Sequence, residues 1–415
     1  MDRLPGFRDF YPEPLPHADV WSADARNYIF ETWRATARRF GFREYDGPPL
    51  ETLELFTTKS GEEIVGQLYN FTDKGDRQIS LRPEMTPTLA RMVAAHERNY
   101  KKPIKWFAIP QLFRYERQQK GRLREHFQFN ADIFGEADWA ADAELIALLI
   151  TTLRQFGLKA DDFVIRLSSR NAWQDYFNQR CQDASKAYEF FQIIDKLERE
   201  EPAKSTEKLA ALGFSYDEVN AFIQSGAPTP ELQGILDNLA ARGLSDFVKI
   251  DYQVIRGLAY YTGVVFEAFD RKGEFRAIAG GGRYDNLVKL ISGGKVNLPA
   301  LGFGMGDVVL LELLKSRGLL PKFDSGVDAY FLIEDEALRP ATLQLIQHLR
   351  ETGLTIEYSL AAAKPDKQFK RAQELGSKWT LRLEADSQIK VKNLATREEM
   401  HCSPENLHKI LKVKA

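Results

Sequence analysis

A chain of 415 residues, 44% hydrophobic and 28% charged, has length for two or three domains with sizeable cores and the balance of an ordinary soluble protein. Its formal net charge of −2 excludes a strongly basic nucleic-acid coat, yet leaves room for a local cationic patch. Cys181 and Cys402 stand far apart without metal-ligand spacing, which argues against a zinc site or disulfide framework and fits a reducing cytoplasm. No apolar run approaches membrane-spanning length, and MDRLPGFRDF at the N-terminus has no signal-peptide core.

Residues 1–16 are loop-like, with Pro5, Gly6, Pro12, Pro14 and Pro16. Ala18 to Phe40 has the apolar spacing of an amphipathic helix through Trp21, Tyr28, Ile29, Trp33 and Phe40, and ends at Gly41. Phe42 to Leu50 is strand-like and closes on Gly47-Pro48-Pro49. Residues 68–73 and 78–82 form paired strands around Lys74-Gly75-Asp76, and deliver LRPEMTPTLAR. Pro87 fits the first turn of a helix there, so Glu84 and Thr86 sit at a strand-to-helix junction, where free backbone N–H groups face a ligand. Taken alone, Thr86 is more often a helix cap.

Trp106 to Phe113 predicts a buried strand, followed by FRYERQQKGRLREHFQFNADIFG: strand, basic turn, strand, with Gly121 allowing a tight loop. Equal parity on strands brings Arg114, Gln128, Asp132 and Glu116 toward one sheet face. Guanidinium forks there suit phosphate or carboxylate, although a solvated charged hairpin is the bland reading. Asp142 to Phe156 is a helix and Phe163 to Leu167 a strand. From about Arg170 to Asp246 the texture is helical and charged, an insertion with solvated faces. The sheet resumes with VKIDY and IRGLAYYTGVVFEAF, in which Arg256, Tyr260 and Tyr261 lie near a turn. IAGGGRYDNLVKL follows, then LPALGFGMGDVVLLELL. Three consecutive glycines let a substrate lie against backbone, and no GK[ST] makes this a Walker loop. After a linker at 321–325, alternating strands and helices predict a small, largely parallel α/β sheet.

LRPEMT, FRYERQQKGRLREHFQFN, RGLAYYTGVVFE and AGGGRYD, in that family's order, resemble the segments of histidyl-tRNA synthetases, a class II aminoacyl-tRNA synthetase family. LPGFRDFYP resembles its N-terminal signature. The resemblance implies an α+β fold: a class II synthetase-type antiparallel sheet flanked by helices, with a helical insertion and a C-terminal α/β anticodon-binding-like domain. The implied boundaries are 1–169 and 247–322 for the catalytic domain, 170–246 for the insertion and 326–415 for the last domain. It implies attachment of histidine to tRNA(His) through a histidyl-adenylate, with ATP as substrate, Mg²⁺ on its phosphates, no protein metal site and no covalent nucleophile. Arg256 and Arg114 would be catalytic, stabilising charge on the α-phosphate. Glu84, Thr86, Gln128, Asp132, Tyr260 and Tyr261 would bind histidine, with Asp132 and Tyr261 on the ring nitrogens. Arg114, Glu116 and Arg122 would bind ATP. A cytoplasmic homodimer joined through residues 30–60 is also implied, with no membrane or DNA partner. Val309 departs from the pattern, because the family has an arginine there that stacks on adenine. Asp132 departs mildly, standing where many relatives have glutamate. The alternative is a catalytically inactive, histidine-sensing regulatory subunit of ATP phosphoribosyltransferase, which Val309 favours and the intact RGLAYYTG opposes.

Overall fold

The computed structural model describes residues 2–60, 62–115, 123–198, 200–255, 261–323 and 326–412. They form two compact units: the chain up to Asp9 with Ala25–Leu320, and Phe10–Asp24 with Pro321–Ala415.

The first unit is built on a nine-stranded sheet. Its strands and those of a small side sheet are β1 (Arg43–Glu44), β2 (Leu50–Thr52), β3 (Asn70–Thr72), β4 (Gln78–Leu81), β5 (Ile104–Ala108), β6 (Gln111–Phe113), β7 (Glu125–Phe134), β8 (Phe163–Ser169), β9 (Val248–Ile250), β10 (Val264–Asp270), β11 (Ala279–Arg283) and β12 (Ala300–Gly306). The large sheet runs β9-β8-β10-β11-β12-β7-β5-β1, with β6 also paired to β7. Its interior is antiparallel as expected, while the outermost pairs, β8–β9 and β5–β1, are parallel. Strands β2, β4 and β3 make the separate antiparallel sheet.

Helices cover the large sheet because their apolar stripes have nowhere else to go. Helix α1 (Ala23–Arg39) buries Ile29, Trp33 and Ala37 at four-residue spacing, and Trp33 stacks on Phe129 of β7 at 5.7 Å. Helix α2 (Thr86–His96) packs Leu89, Ala90 and Val93 into a core with Tyr261 and Tyr284. Helix α3 (Ala140–Gln155) is buried along nearly its whole length, between the sheet and an insertion helix, Pro230–Ala241. Helix α4 (Asp307–Ser316) follows β12 directly. Between β8 and β9 lie the helices Arg170–Asn178, Ala187–Lys196, Pro202–Leu212, Tyr216–Ser225 and Pro230–Ala241. All five fall within the stretch read as helical from the sequence. Two expected strands came out shorter. Trp106–Phe113 is split into β5 and β6 at Ile109-Pro110, where proline removes a ladder donor, and Phe42–Leu50 retains β1 and, at Leu50, the first residue of β2.

The second unit holds β13 (Ala329–Phe331), β14 (Ile356–Tyr358), β15 (Trp379–Leu383), β16 (Ile389–Asn393) and β17 (Glu399–Cys402) in the order β14-β13-β15-β16-β17. The first three are mutually parallel, and β16 and β17 join antiparallel, so the sheet is mixed where a largely parallel one was expected. Helices α5 (Arg339–Glu351) and α7 (Pro404–Lys412) bury Leu345, Ile346, Leu349, Leu407 and Leu411 against one face. Helix α6 (Pro365–Glu374) holds its buried Gln368 to the backbone of Ile333 through hydrogen bonds of 2.9 and 2.7 Å.

Candidate active site

The floor of the site is backbone. Along β7, Gln128, Asn130 and Asp132 share one face, and their partners on β12 are Gly306, Gly304 and Gly302. One strand further, Gly304 and Gly302 pair with Gly280 and Gly282 of β11. Glycine is required here by close approach, for a Cβ on Gly302 would lie 1.9 Å from Asp132 Oδ1, and one on Gly304 would lie 2.6 Å from the Gln128 side chain. The two polar side chains therefore lie flat across the strip.

Two cavities open on this strip and meet. The inner one, about 70 Å³, is lined by Glu84, Thr86, Asn130, Tyr261 and Tyr284. The outer one, about 220 Å³, is lined by His126, Glu267, Ile278, Val308 and Val309 among others. Arg114, Gln128, Gly280 and Gly304 line both. A group bound in one cavity thus meets a group bound in the other beside a guanidinium.

At the inner end, Asp132 lies beneath the lining. The buried Tyr284 hydroxyl donates to Asp132 Oδ1. Burial pushes the Asp132 carboxyl up to about 7, against the opposing pull of that hydrogen bond. Asp132 thus accepts from Tyr284, and Tyr261, expected with it at the ring nitrogens, lines the same cavity. The neighbours of Tyr284 in GGGRYD hold it in place. Arg283 donates to Asp142 Oδ2 at 2.8 and 2.6 Å and to the carbonyls of Glu136 and Asp138 at 3.1 and 2.7 Å. Asp285 accepts from the Thr262 hydroxyl and from the Ala300 N–H, each at 3.1 Å. Glu84 and Thr86 reach the cavity because Arg82 is anchored to the carbonyls of Gly47 and Gln111 at 2.6 and 3.1 Å. Thr86 opens α2 rather than capping it, since Met85 occupies the cap position without a side-chain bond.

At the join, Arg114 donates from Nε to the Pro83 carbonyl at 3.1 Å, and its two terminal nitrogens have no partner among the described residues. It is the only cation among the described residues lining the outer cavity. His126 beside it is pushed down to about 3 by burial, then by Arg114 and Arg8, so its imidazole is neutral at physiological pH. Behind the cavity lies a buried ion cluster that sequence reasoning missed. Arg8 donates to Glu125 at 2.6 and 3.2 Å and to Asp307 Oδ2 at 2.8 Å. Gln111 donates to Glu125 at 3.0 Å, and the Phe127 N–H to Asp307 Oδ1 at 3.0 Å. Burial pushes Asp307 up while Arg8 opposes it. This cluster joins the N-terminal segment to β6, β7 and the start of α4. Val309 presents an apolar surface to the outer cavity.

The structure therefore brings together Arg114, Glu84, Thr86, Gln128 and Tyr261, with Asp132 just below. Arg256, Tyr260, Glu116 and Arg122 lie outside the described residues. Asn130 was missed although it falls between Gln128 and Asp132 in the same parity.

An antiparallel sheet with a glycine strip, an arginine-bearing hairpin and two joined cavities is the catalytic architecture of a class II aminoacyl-tRNA synthetase. Residues 18–307 match the family model of histidyl-tRNA synthetase, and 325–414 match that of an anticodon binding domain. The histidine–tRNA ligase of Opitutus terrae is 45% identical over 435 residues, covering 99% of this chain and 97% of that protein. The chain belongs to the histidyl-tRNA synthetase family. Its fold is shared by the histidyl-tRNA synthetase of Nostoc sp. PCC 7120, with TM-score 0.78, 22% identity and 99% and 100% of the two chains covered. An ATP phosphoribosyltransferase regulatory subunit/histidyl-tRNA synthetase from Bacillus halodurans also shares it, with TM-score 0.71, 20% identity and 89% and 96% covered. Fold likeness therefore does not separate the two functions.

Proposed function

We propose that the chain is a histidine–tRNA ligase that works through histidyl-adenylate. The observation that carries this is the meeting of the two cavities at Arg114, Gln128, Gly280 and Gly304. With histidine in the inner cavity and ATP in the outer, the amino-acid carboxylate and the α-phosphate meet beside Arg114. A carboxylate oxygen attacks the α-phosphorus, the bond to the bridging oxygen of the β-phosphate breaks, and pyrophosphate leaves. Arg114, with Arg256, offsets the charge that develops on the phosphoryl oxygens. A terminal ribose hydroxyl of tRNA(His) then attacks the adenylate carbonyl, and AMP departs.

Glu84 accepts the α-ammonium, supported by Thr86 and Gln128, as an anion held by its surroundings should. Asp132 acts on the imidazole end through Tyr284, with Tyr260 and Tyr261 alongside. Arg114, Glu116 and Arg122 hold the triphosphate. Mg²⁺ would neutralise charge on the β- and γ-phosphates. Glu267 is the carboxylate that lines the outer cavity, and no group of three potential metal ligands occurs among the described residues, so the ion's remaining ligands would be phosphate and water. A homodimer fits the exposed Leu50 and Phe71 of the small sheet, 41% and 50% accessible. The insertion would lie along the tRNA acceptor arm and the second unit at the anticodon. No helix among the described residues is long and apolar enough to cross a membrane, which agrees with a cytoplasmic enzyme.

Val309 favours the regulatory reading, and the 45% identity to a ligase over almost the whole length weighs more. Histidine-dependent ATP–pyrophosphate exchange on the purified chain, followed by charging of tRNA(His), decides it. No exchange at saturating ATP, with activation of a short-form ATP phosphoribosyltransferase, would hand the case to the regulatory role.

A further inference from the structure

Pro110 stands between β5 and β6, and its missing N–H leaves a gap in their ladder with β7. The Gln128 N–H donates to the Pro110 carbonyl at 3.1 Å, but proline has no hydrogen to return to the Gln128 carbonyl. Asn130 fills that gap. Its side-chain Nδ2 donates to the Gln128 carbonyl at 3.0 Å. Because only the nitrogen of the amide can donate, this bond fixes which way the amide faces.

The oxygen of the same amide has no such duty. Asn130 is 5% exposed and lines the inner cavity, and its Oδ1 meets no hydrogen-bond donor among the described residues. An acceptor left unpaired in a buried place costs stability, so this oxygen suits a donor that enters with the ligand. Register sets Asn130 opposite Gly304, so no side chain stands beside it on the strip. Asn130 lies one two-residue step inward of Gln128, about 6–7 Å along β7, and Gln128 lines the join of the two cavities. One step further in, Asp132 already accepts the Tyr284 hydroxyl.

We propose that Asn130 is a specificity-determining residue whose Oδ1 accepts the Nε2–H of the substrate histidine ring. The proposal rests on the reading of the inner cavity as the histidine site and deepens it. With the carboxylate at the join beside Arg114 and the α-ammonium on Glu84, the ring N–H is the donor that remains. The step from Gln128 to Asn130 matches the span from the carboxylate of histidine to the far nitrogen of its ring. A site that hydrogen-bonds a substrate N–H rejects a ring of similar size without one, because its own polar group then stays unpaired. The bond that repairs the ladder at Pro110 thus also holds the acceptor still.

The test pairs a ligand change with a side-chain change. 3-(Thiazol-4-yl)alanine keeps the carboxylate, the ammonium and the ring shape of histidine, but carries sulfur in place of Nε2–H. In titration calorimetry at about pH 8, where free imidazole is neutral, Asn130→Ala should bind histidine about 10- to 100-fold more weakly than the unaltered protein. Its affinity for thiazolylalanine should stay within about 3-fold, because the two changes remove one interaction. Asn130→Asp keeps an oxygen toward the cavity and should retain the preference for histidine. Equal losses for the two ligands in Asn130→Ala would assign Asn130 to the Gln128 carbonyl or to the ammonium alone, and would overturn the proposal. So would loss of the preference in Asn130→Asp, or equal affinity of the unaltered protein for both ligands, a measurement that needs no variant. Calorimetry uses neither ATP nor RNA, so it reads Asn130 even where pyrophosphate exchange is absent and the ligase reading fails.

Discussion

The inner and outer ends of the catalytic strip are built in opposite ways. At the inner end the polar groups are bonded to one another: Tyr284 to Asp132, Arg283 to Asp142, Thr262 to Asp285. Little there must move to receive an imidazole. At the outer end the cavity is three times larger, about 220 against 70 Å³, Arg114 is its single described cation, and the bracing lies behind the wall, in Arg8, Glu125 and Asp307. An amino acid must be distinguished from its analogues by buried, preorganised partners. A nucleotide brings several charges of its own, so on the proposed reading its end of the site should work with Val309 where the resemblance implies an arginine.

The largest effect should come from the hidden brace. Arg8→Ala leaves two buried carboxylates without their cation, since the three side chains are only 1%, 1% and 5% accessible. Loss of one partner in such a cluster costs about 3–5 kcal/mol, to be read as a lower denaturation midpoint in urea. Arg8→Lys should recover part of it. Unchanged stability would show that the outer end is not held from behind.

Arg114→Ala comes next, because this residue serves both ends. Exchange should fall roughly 100- to 1,000-fold, as on removal of a donor to developing charge, with histidine affinity much less affected. A collapse of histidine binding in step with the rate would make Arg114 a ground-state ligand instead.

Tyr284→Phe probes the inner end and should raise KM for histidine about 10-fold, the scale of a lost hydrogen bond to a charged group, while KM for ATP stays near its starting value. The pH profile carries a sign. Asp132 titrates at about 7, and the Tyr284 hydrogen bond lowers it, so histidine binding should strengthen as pH rises through that value. In Tyr284→Phe the midpoint should move upward. Ionisation of the free ligand is the same for both proteins and cannot produce that movement. For stability the sign is reversed: a carboxyl raised above its unfolded value of about 3.9 costs stability progressively as pH climbs from there through about 7.

Val309→Arg should have the smallest effect. A guanidinium restored over the adenine adds about 0.5–2 kcal/mol, so KM for ATP should fall by roughly 2- to 30-fold. An unchanged KM would mean that the outer cavity already holds adenine in another way.

Local pattern determined much of this molecule. The helical texture of the insertion, α3, the hairpin of β3 and β4, and the alternation in the second unit were readable, because each follows from apolar period, proline or glycine within one short stretch. The residue types of the site were readable too, through the resemblance of four short segments. Tertiary structure decided the rest, and the reason is distance along the chain. Arg8 meets Asp307 across 299 positions, Tyr284 meets Asp132 across 152, and Arg283 meets Asp142 across 141. No window of sequence contains both partners of such a pair. Likewise GGG and LGFGMG announce close approach, but only the register of β7, β12 and β11 shows that Asp132 and Gln128 are what approach. Sequence alone specified which chemistry was available, and strand pairing set which groups bury one another and so which carboxyl is pushed up to about 7.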